Sequence, residues 1–351
     1  MGAPLCAAVM LAAISMGPKP IHPLTTLSVL LKHATGGSQV DVQANGDGEQ
    51  DEEAAAGREA QTSETIIWLV RTPRVLVAAF VGAALAFAGT LMQGLFRNPL
   101  ASPGILGVSA GGAFGAVVCI ATGWAVQAVW PLPACAFAGA LTTILIVYAL
   151  ASYQGETPLA TLLLAGIAVS ALAGSATSFV LVISARHEWF VAKEILFWTL
   201  GGLDARLWQH VAMVALPTTF AIVASMFFLR DLNIMLLGEE QARTLGVDTP
   251  RLKLGLLGIV SLATGAAVGV SGLIGFVGLM IPHLLRMMVG PDHRSLVPAS
   301  VFGGAIFLVV TDTFVRCLGP ADLRLGIVTG ALGAPFFLLL LIKHRNQAIH
   351  L

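Results

Sequence analysis

The sequence predicts an all-α polytopic membrane protein with about ten transmembrane helices. Of its 351 residues, 56% are hydrophobic and only 11% are charged, whereas about 25% are charged in an average soluble domain. The mean hydropathy of +0.85 exceeds what one water-facing core can hold. The 38 glycines are typical of closely packed transmembrane helices. The apolar runs are continuous and not alternating, which excludes a transmembrane barrel.

The charges and cysteines exclude several classes of function. Nineteen basic residues balance nineteen acidic ones, so nothing favours a nucleic-acid partner. The four cysteines stand singly without a CxxC pair, so we predict no disulfide framework and no metal site. No GxxxxGK[ST] phosphate loop occurs. The chain is therefore expected to bind no cofactor, and any ATP must be hydrolysed by a separate subunit.

Breaks between the apolar runs define the candidate spans, because a bilayer core of about 30 Å needs about 20 helical residues. Nine are predicted, at 75–95, 105–122, 129–150, 159–183, 209–229, 254–271, 273–288, 296–312 and 325–342. A tenth and weaker candidate is Ala3–Met16, which Gly17-Pro18 ends. Because this run would rise only about 21 Å as a helix, we expect an incomplete first span, either truncated or only partly inserted.

The segments between the spans divide the chain into four regions. Residues 1–35 hold the short first span and its connection, 65–345 the transmembrane domain, and 346–351 a C-terminal tail. Residues 36–64 contain eight acidic residues, one basic residue and few large apolar groups. Such a segment cannot offset its ordering entropy, so it is expected to be a disordered loop. The Lys and Arg distribution over the loops is too even to fix the orientation.

A short repeat suggests two related halves. Gly82-Ala83-Ala84 followed by Gly89 recurs as Gly265-Ala266-Ala267 followed by Gly272. Internal repeats of this kind are common in transporters, although chance also produces so short a match in a chain rich in Gly and Ala.

Charged residues near the ends of two spans are candidates for contacts outside the chain. Arg71-Thr72-Pro73-Arg74 is predicted to open a helix, because proline suits the first turn, and the two arginines fall on one face. They could simply extend to the lipid headgroups. Asp312 and Arg316, four residues apart, are predicted to pair with each other.

Several motifs, taken in chain order, resemble those of the FecCD family of ABC-transporter permeases, which import iron–siderophore complexes, haem and cobalamin. They are Arg71-Thr72-Pro73-Arg74, Met92-Gln93-Gly94, Arg97-Asn98-Pro99-Leu100-Ala101-Ser102-Pro103, the run 106–111, the run 237–246, the run 275–286, Asp292-His293-Arg294 and the run 325–335. The resemblance covers about four fifths of the chain, residues 66–345. It implies a cobalamin-importer-like permease fold for the transmembrane domain.

The run 237–246 looks like the family's cytoplasmic coupling segment. The residues carried over to ATPase coupling are Leu237, Gly238, Glu239, Glu240, Arg243, Leu245 and Gly246. The local chemistry agrees, since two acids open a short helix, an arginine lies near its end and a glycine terminates it. An ordinary amphipathic connector is the alternative.

The resemblance also implies a gate, a pathway wall and a docking site. Asn98, Pro99 and Leu100 match a cytoplasmic gate, whereas Leu159 and Ala160 depart from the hydroxyl residues of the second gate. Arg71, Arg74 and Arg316 match arginines that dock a soluble binding protein. A small, weakly polar face of the span at 159–183 is either a packing surface or a pathway wall for a bulky chelate; its residues are Gly166, Ser170, Gly174 and Thr177.

The sequence is therefore identified as a transmembrane permease subunit, not an enzyme, that moves an iron chelate across the cytoplasmic membrane. Its expected partners are a pair of cytoplasmic ATP-binding subunits, an extracytoplasmic substrate-binding protein, a second permease copy in a homodimer, and membrane lipid. A haem or cobalamin importer is the first alternative. An ion-coupled transporter or a membrane enzyme would need ionisable groups deep in the spans, and the predicted spans contain almost none.

Overall fold

The computed structural model describes residues 2–17, 20–35, 61–152, 158–318 and 323–348, and these form helices joined by turns and loops. In chain order the helices are α1 (Gly2–Ser15), α2 (Pro23–Ala34), α3 (Gln61–Leu95), α4 (Val108–Ala121), α5 (Trp124–Gln127), α6 (Pro131–Ala151), α7 (Leu159–His187), α8 (Trp189–Thr199), α9 (Trp208–Ser225), α10 (Leu229–Met235), α11 (Glu239–Thr244), α12 (Thr249–Ser271), α13 (Val277–Val289), α14 (His293–Leu318) and α15 (Leu325–Ala348). The all-α class is confirmed.

Among the described residues, five helices are long and apolar enough to cross a bilayer: α3, α6, α7, α12 and α14. A sixth crossing results if α9 and α10, which bend by 62° at their junction, are taken as one span. Four apolar helices are shorter, namely α1, α4, α13 and the first part of α15. The protein is thus an integral membrane protein, and the count of about ten spans stays a prediction.

Several predicted boundaries are wrong. Residues 61–64, assigned to the acidic loop, belong to α3, and Glu64 pairs with Lys32 of α2 at 3.0 Å. Residues 36–60 of that loop lie outside the described residues. The C-terminal tail does not begin at 346, because α15 continues to Ala348. Three helices, α2, α5 and α8, lie where no helix was predicted, and α10 extends beyond the predicted span 209–229.

Helix α3 begins ten residues before the Arg71-Thr72-Pro73-Arg74 motif, so the motif does not open the helix. Residues Ile66–Arg71 form a π-helical stretch, and the N–H of Thr72 donates to the carbonyl of Ile67. Pro73 has no N–H to donate. A wider turn immediately before Pro73 lets α3 continue without the missing hydrogen bond, as π-bulges inside longer helices do.

Glycines let α3 pass through the centre of the bundle in direct contact with two neighbours. A Cβ placed on Gly82 would lie 2.1 Å from the carbonyl oxygen of Gly304 in α14, and one on Gly89 would lie 1.7 Å from that of Gly278 in α13. The second copy of the sequence repeat differs, because Gly272 ends α12 with φ +68°. The repeated glycines therefore do not occupy equivalent positions.

The bundle has two ends that carry the candidate sites. The coupling end contains the 97–101 turn and the run 237–246, where a Cβ on Gly238 would lie 3.6 Å from Nη1 of Arg97. The arginine end contains the start of α3 and the loop 200–207. That loop is tied to the end of α12 by a hydrogen bond from the Gly202 N–H to the Ser271 carbonyl at 2.8 Å.

The substitution Gly89→Ala should destabilise the bundle by about 1–3 kcal/mol, because the added methyl group overlaps a backbone carbonyl that cannot move aside. Gly258→Ala is the matched control, since a Cβ at Gly258 in α12 meets nothing within 4 Å. The control should be neutral or gain up to about 1 kcal/mol from helix propensity. Thermal unfolding in detergent measures both, and equal melting temperatures would contradict the close packing of α3 on α13.

Candidate functional site

The run 237–246 forms a short exposed helix at the coupling end, as predicted. Helix α11 is entered through Gly238 at φ +124° and left through Gly246 at φ +86°, both in backbone conformations that favour glycine. Leu237 and Leu245 flank the helix and are 60% and 61% exposed. Two solvent-exposed leucines at the ends of one turn of helix provide an apolar surface that a partner could bury.

The two acidic residues of this segment have different environments. Glu240 is exposed, whereas the carboxylate of Glu239 accepts hydrogen bonds from Arg243, Thr249 and the ammonium group of Lys253, the last at 2.8 Å. Partial burial raises the pKa of the Glu239 carboxyl, but the hydrogen bond and charge of Lys253 outweigh burial and the pKa lies below its ordinary value. Glu239 therefore fixes α11 to the start of α12.

The predicted gate residues form a tight turn next to this segment. The side-chain oxygen of Asn98 accepts a hydrogen bond from the Leu100 N–H at 2.9 Å, an Asx turn that stabilises the reversal after α3. Pro99 and Leu100 are exposed at the coupling end. The structure thus brings the predicted gate and the predicted coupling segment to the same end of the bundle.

Helix α7 lies at the periphery of the chain. Only 11% of the residues in its most apolar stretch are buried. Between Leu159 and Ile183 it carries no charged residue, and large apolar side chains such as Leu164, Leu172 and Phe179 are exposed. Such a helix faces lipid or another protein surface.

The four small residues predicted on one face of α7 divide into two pairs. Gly166 is buried against the chain that leads into α4, where a Cβ would lie 2.6 Å from the carbonyl oxygen of Ile105. Ser170 packs beside it and donates to the Gly166 carbonyl at 2.6 Å. A Cβ on Gly174 would meet nothing within 4 Å, and Thr177 is half-buried. The first pair therefore packs within the chain, and the second borders open space.

The three arginines predicted for docking lie together at the arginine end, and each binds acceptors of its own chain. Arg71 is buried and donates to the carbonyls of Ile14 and Ser15, both at 3.1 Å. Arg316 donates to the carbonyl of Ala13 at 2.6 Å. These two side chains bind the carbonyl end of α1, where a positive charge is favoured. Their role in docking stays a prediction.

Arg74 forms the ion pair that the sequence assigned to Arg316. Its guanidinium group binds Asp312 through two nitrogens, with Nη2 to Oδ1 at 2.9 Å and Nε to Oδ2 at 3.0 Å. The predicted local pair between Asp312 and Arg316 is wrong, because the buried carboxylate faces α3 rather than the next turn of its own helix. A bidentate arginine contact also has the better geometry.

Sequence reasoning missed a charged cluster beside these arginines. Asp204 accepts from Nη1 of Arg74 at 3.0 Å and also from Nη1 of Arg324. Arg206 follows two residues later in the loop 200–207. The sequence does contain an indication of this cluster. The short run Gly-Gly-Leu-Asp-Ala-Arg places two charged residues between two apolar segments, where a loop at the membrane boundary is expected.

The chain resembles known proteins over most of its length. Residues 5–343 match the FecCD transport family. The cobalamin import system permease protein of Halobacterium salinarum is 45% identical over 290 residues, which cover 82% of this chain and 76% of that protein. The hemin transport system permease protein of Yersinia pestis is 41% identical over 80% of this chain and 84% of that protein. The Fe(3+)-citrate import system permease protein of Bacillus subtilis is 38% identical over 81% of this chain and 83% of that protein.

A solved structure shares the fold. It is an ABC transporter assigned to the metal-chelate type, in an inward-facing conformation, and it superposes with a TM-score of 0.79 at 28% identity over 97% of both chains. The apolar helical bundle and these matches define an ABC importer permease, a membrane transport component and not an enzyme. The chain belongs to the FecCD transport family. A permease of this class works with ATP-binding subunits and a substrate-binding protein.

Proposed function

We propose that the chain, as a homodimer, moves an iron–siderophore complex inward across the cytoplasmic membrane. The observation that carries this proposal is the family membership of the chain together with the uncharged, exposed helix α7. A wall without charges offers no fixed ligand to a chelated metal ion, so the whole chelate can pass without being held. The iron chelate named for the Bacillus subtilis relative supports this cargo.

The two ends of the bundle would then have separate partners. A pair of ATP-binding subunits would bury Leu237 and Leu245 at the coupling end, which faces the cytoplasm. The substrate-binding protein would dock at the arginine end outside, near Arg74. The exposed apolar face of α7 would be covered by the second permease copy, and the four shorter apolar helices would complete about ten spans.

Cobalamin is the second candidate cargo, because the 45% identical relative from Halobacterium salinarum is named for cobalamin import. A chelate pathway without metal ligands fits cobalamin and haem as well as a siderophore complex. The choice depends on the partner that delivers the cargo, so all three chelates belong in one experiment.

Uptake by proteoliposomes tests this proposal. The permease, its ATP-binding subunits and its substrate-binding protein are reconstituted, and uptake of a ferric siderophore, cobalamin and haem is measured. We expect ATP-dependent uptake of the ferric siderophore that is unchanged when ionophores collapse the ion gradients. A hydrolysis-deficient ATP-binding subunit is the control and should stop uptake. Uptake that follows an ion gradient without ATP would contradict the proposal, and uptake of cobalamin alone would establish the second candidate.

A further inference from the structure

A cleft of about 390 Å³ opens at the arginine end between α8 and the loop 200–207. Its volume is within the range of small-molecule sites, about 300–1,000 Å³. The charged and hydrogen-bonding residues that line it and matter here are Lys193, Glu194, Trp198, Asp204, Arg206 and Arg324.

Arg206 is a cation that forms no ion pair with the described residues of this cleft. Among the described residues it makes no ion pair or side-chain hydrogen bond, and its Nε is buried without an acceptor. Burial lowers the pKa of its guanidinium to about 10, with smaller contributions in the same direction from the charges of Arg74 and Arg324 and an opposing one from Asp204. A half-buried cation without an ion pair is stabilised when an anion pairs with it.

Asp204 forms no ion pair with Arg206 in the described part of the chain, and its two oxygens accept from other guanidinium groups. Oδ1 accepts from Arg74 and Oδ2 from Arg324. Lys193 and Glu194 are both exposed at the mouth and carry opposite charges. The cleft therefore has close to one positive charge more than the described acidic residues balance.

Two further groups in the cleft have spare donor capacity. The indole nitrogen of Trp198 and Nε of Arg324 are both buried, and neither has a hydrogen-bond partner among the residues that the structure describes. The guanidinium of Arg324 lies 4.3 Å above the ring of Phe197, which holds its plane fixed. Unpaired donors beside an uncompensated cation are the complement of an anion with several acceptor oxygens.

We propose that this cleft binds a carboxylate group of the cargo after the substrate-binding protein has released it. One excess positive charge balances one carboxylate group, and a polycarboxylate such as citrate can present one of its groups to the cleft. The volume exceeds that of a single acidic side chain, which favours a carboxylate carried by a small molecule. The identification of the cargo rests on the proposed function, whereas carboxylate binding itself does not.

Citrate binding to the purified permease in lipid nanodiscs tests the site without transport. Isothermal titration should show saturable binding, reduced at least about tenfold in Arg206→Gln, which loses the charge-assisted hydrogen bonds, and more weakly reduced in Trp198→Phe, which loses only the N–H. Arg251→Gln is the matched control, since that side chain is 88% exposed at the opposite end, and its citrate affinity should not change.

The melting temperature of the ligand-free Arg206→Gln protein separates a binding role from a structural one. A side chain that is uncompensated until a ligand arrives should be removable without loss of stability, so the melting temperature should stay the same or rise. No saturable citrate binding to the wild type, or equal affinity in Arg206→Gln, would overturn the proposal. Neither outcome would affect ATP-dependent uptake of the chelate. The proposed carboxylate site and the proposed transport function can therefore be contradicted independently.

The source of the carboxylate is tested by comparing two cargoes in the uptake assay. In Arg206→Gln, the KM for a ferric siderophore that carries free carboxylates should rise severalfold, while the KM for a ferric hydroxamate without carboxylates should not change. Affinity for the substrate-binding protein should also not change. A loss of that affinity with equal KM values would mean that the carboxylate belongs to the docking protein, which would overturn its assignment to the cargo.

Discussion

Changing both Leu237 and Leu245 to aspartate should abolish ATP-driven uptake while the permease stays folded. The two leucines are 60% and 61% exposed, so their replacement should alter the free energy of unfolding by no more than about 0.5 kcal/mol. If an ATP-binding subunit buries them, each contributes roughly 1.5–3 kcal/mol to docking. The loss of both should reduce affinity for that subunit by more than about a hundredfold.

Three measurements check this result: the melting temperature, the binding of the ATP-binding subunit and the chelate uptake. Val126→Asp is the control, because Val126 is also apolar and is 83% exposed, but lies in α5 outside the coupling segment. The control should keep normal uptake. Normal uptake and normal ATPase stimulation in the double leucine variant would remove the coupling assignment from this segment.

The charged residues of the same segment make a poorer test than the sequence suggests. Reversing Glu239 would remove the carboxylate that binds the ammonium group of Lys253, a side chain that is 7% exposed, and would place a positive charge beside it. A loss of uptake would then reflect unfolding at the start of α12 rather than a lost partner contact. Glu240 is exposed and lies outside this network, so a charge reversal there changes only the surface.

The all-α class and the positions of the long apolar helices could be predicted, because a bilayer of fixed thickness requires long apolar runs. The turn after α3 and the short helix α11 were also predictable, since Pro, Gly and paired charges act locally. Helix α8 was not, because Lys193 and Glu194 interrupt its apolar pattern. The start of α3 was missed because a π-helical stretch lets the helix continue through Pro73.

The candidate sites were harder to predict, because the partner of a charged side chain depends on tertiary packing. The spacing of four residues predicted an ion pair between Asp312 and Arg316. Because α3 packs on α14, Asp312 instead pairs with Arg74. Spacing also placed Arg71 and Arg74 on one face, whereas Arg71 binds the end of α1. The run 201–206 places the charge of Arg206 at a boundary between apolar segments, but only the folded chain brings Arg206 and Trp198 to one cleft.

The ion pair between Arg74 and Asp312 gives the second large expected effect. Asp312 is 1% exposed and Arg74 is 17% exposed, so removing Arg74 leaves the Asp312 carboxylate in a place that water hardly reaches. Arg74→Met alone should therefore lower the free energy of unfolding by about 3–5 kcal/mol. Asp312→Leu alone should cost less, because Arg74 keeps its ion pair with Asp204. The double variant Arg74→Met/Asp312→Leu should recover most of that loss, because apolar replacements of a buried ion pair are often neutral.

The same set of variants separates stability from docking. If Arg74 also receives an acidic residue of the substrate-binding protein, the double variant should fold normally but bind that protein more weakly, and the difference should shrink as salt is raised. Chemical unfolding and docking measured on the same samples give both quantities. Wild-type stability in Arg74→Met alone would show that the ion pair is not structural. Wild-type docking in the double variant would show that Arg74 has only a structural role. That role is the bidentate contact of its guanidinium group with the buried carboxylate of Asp312.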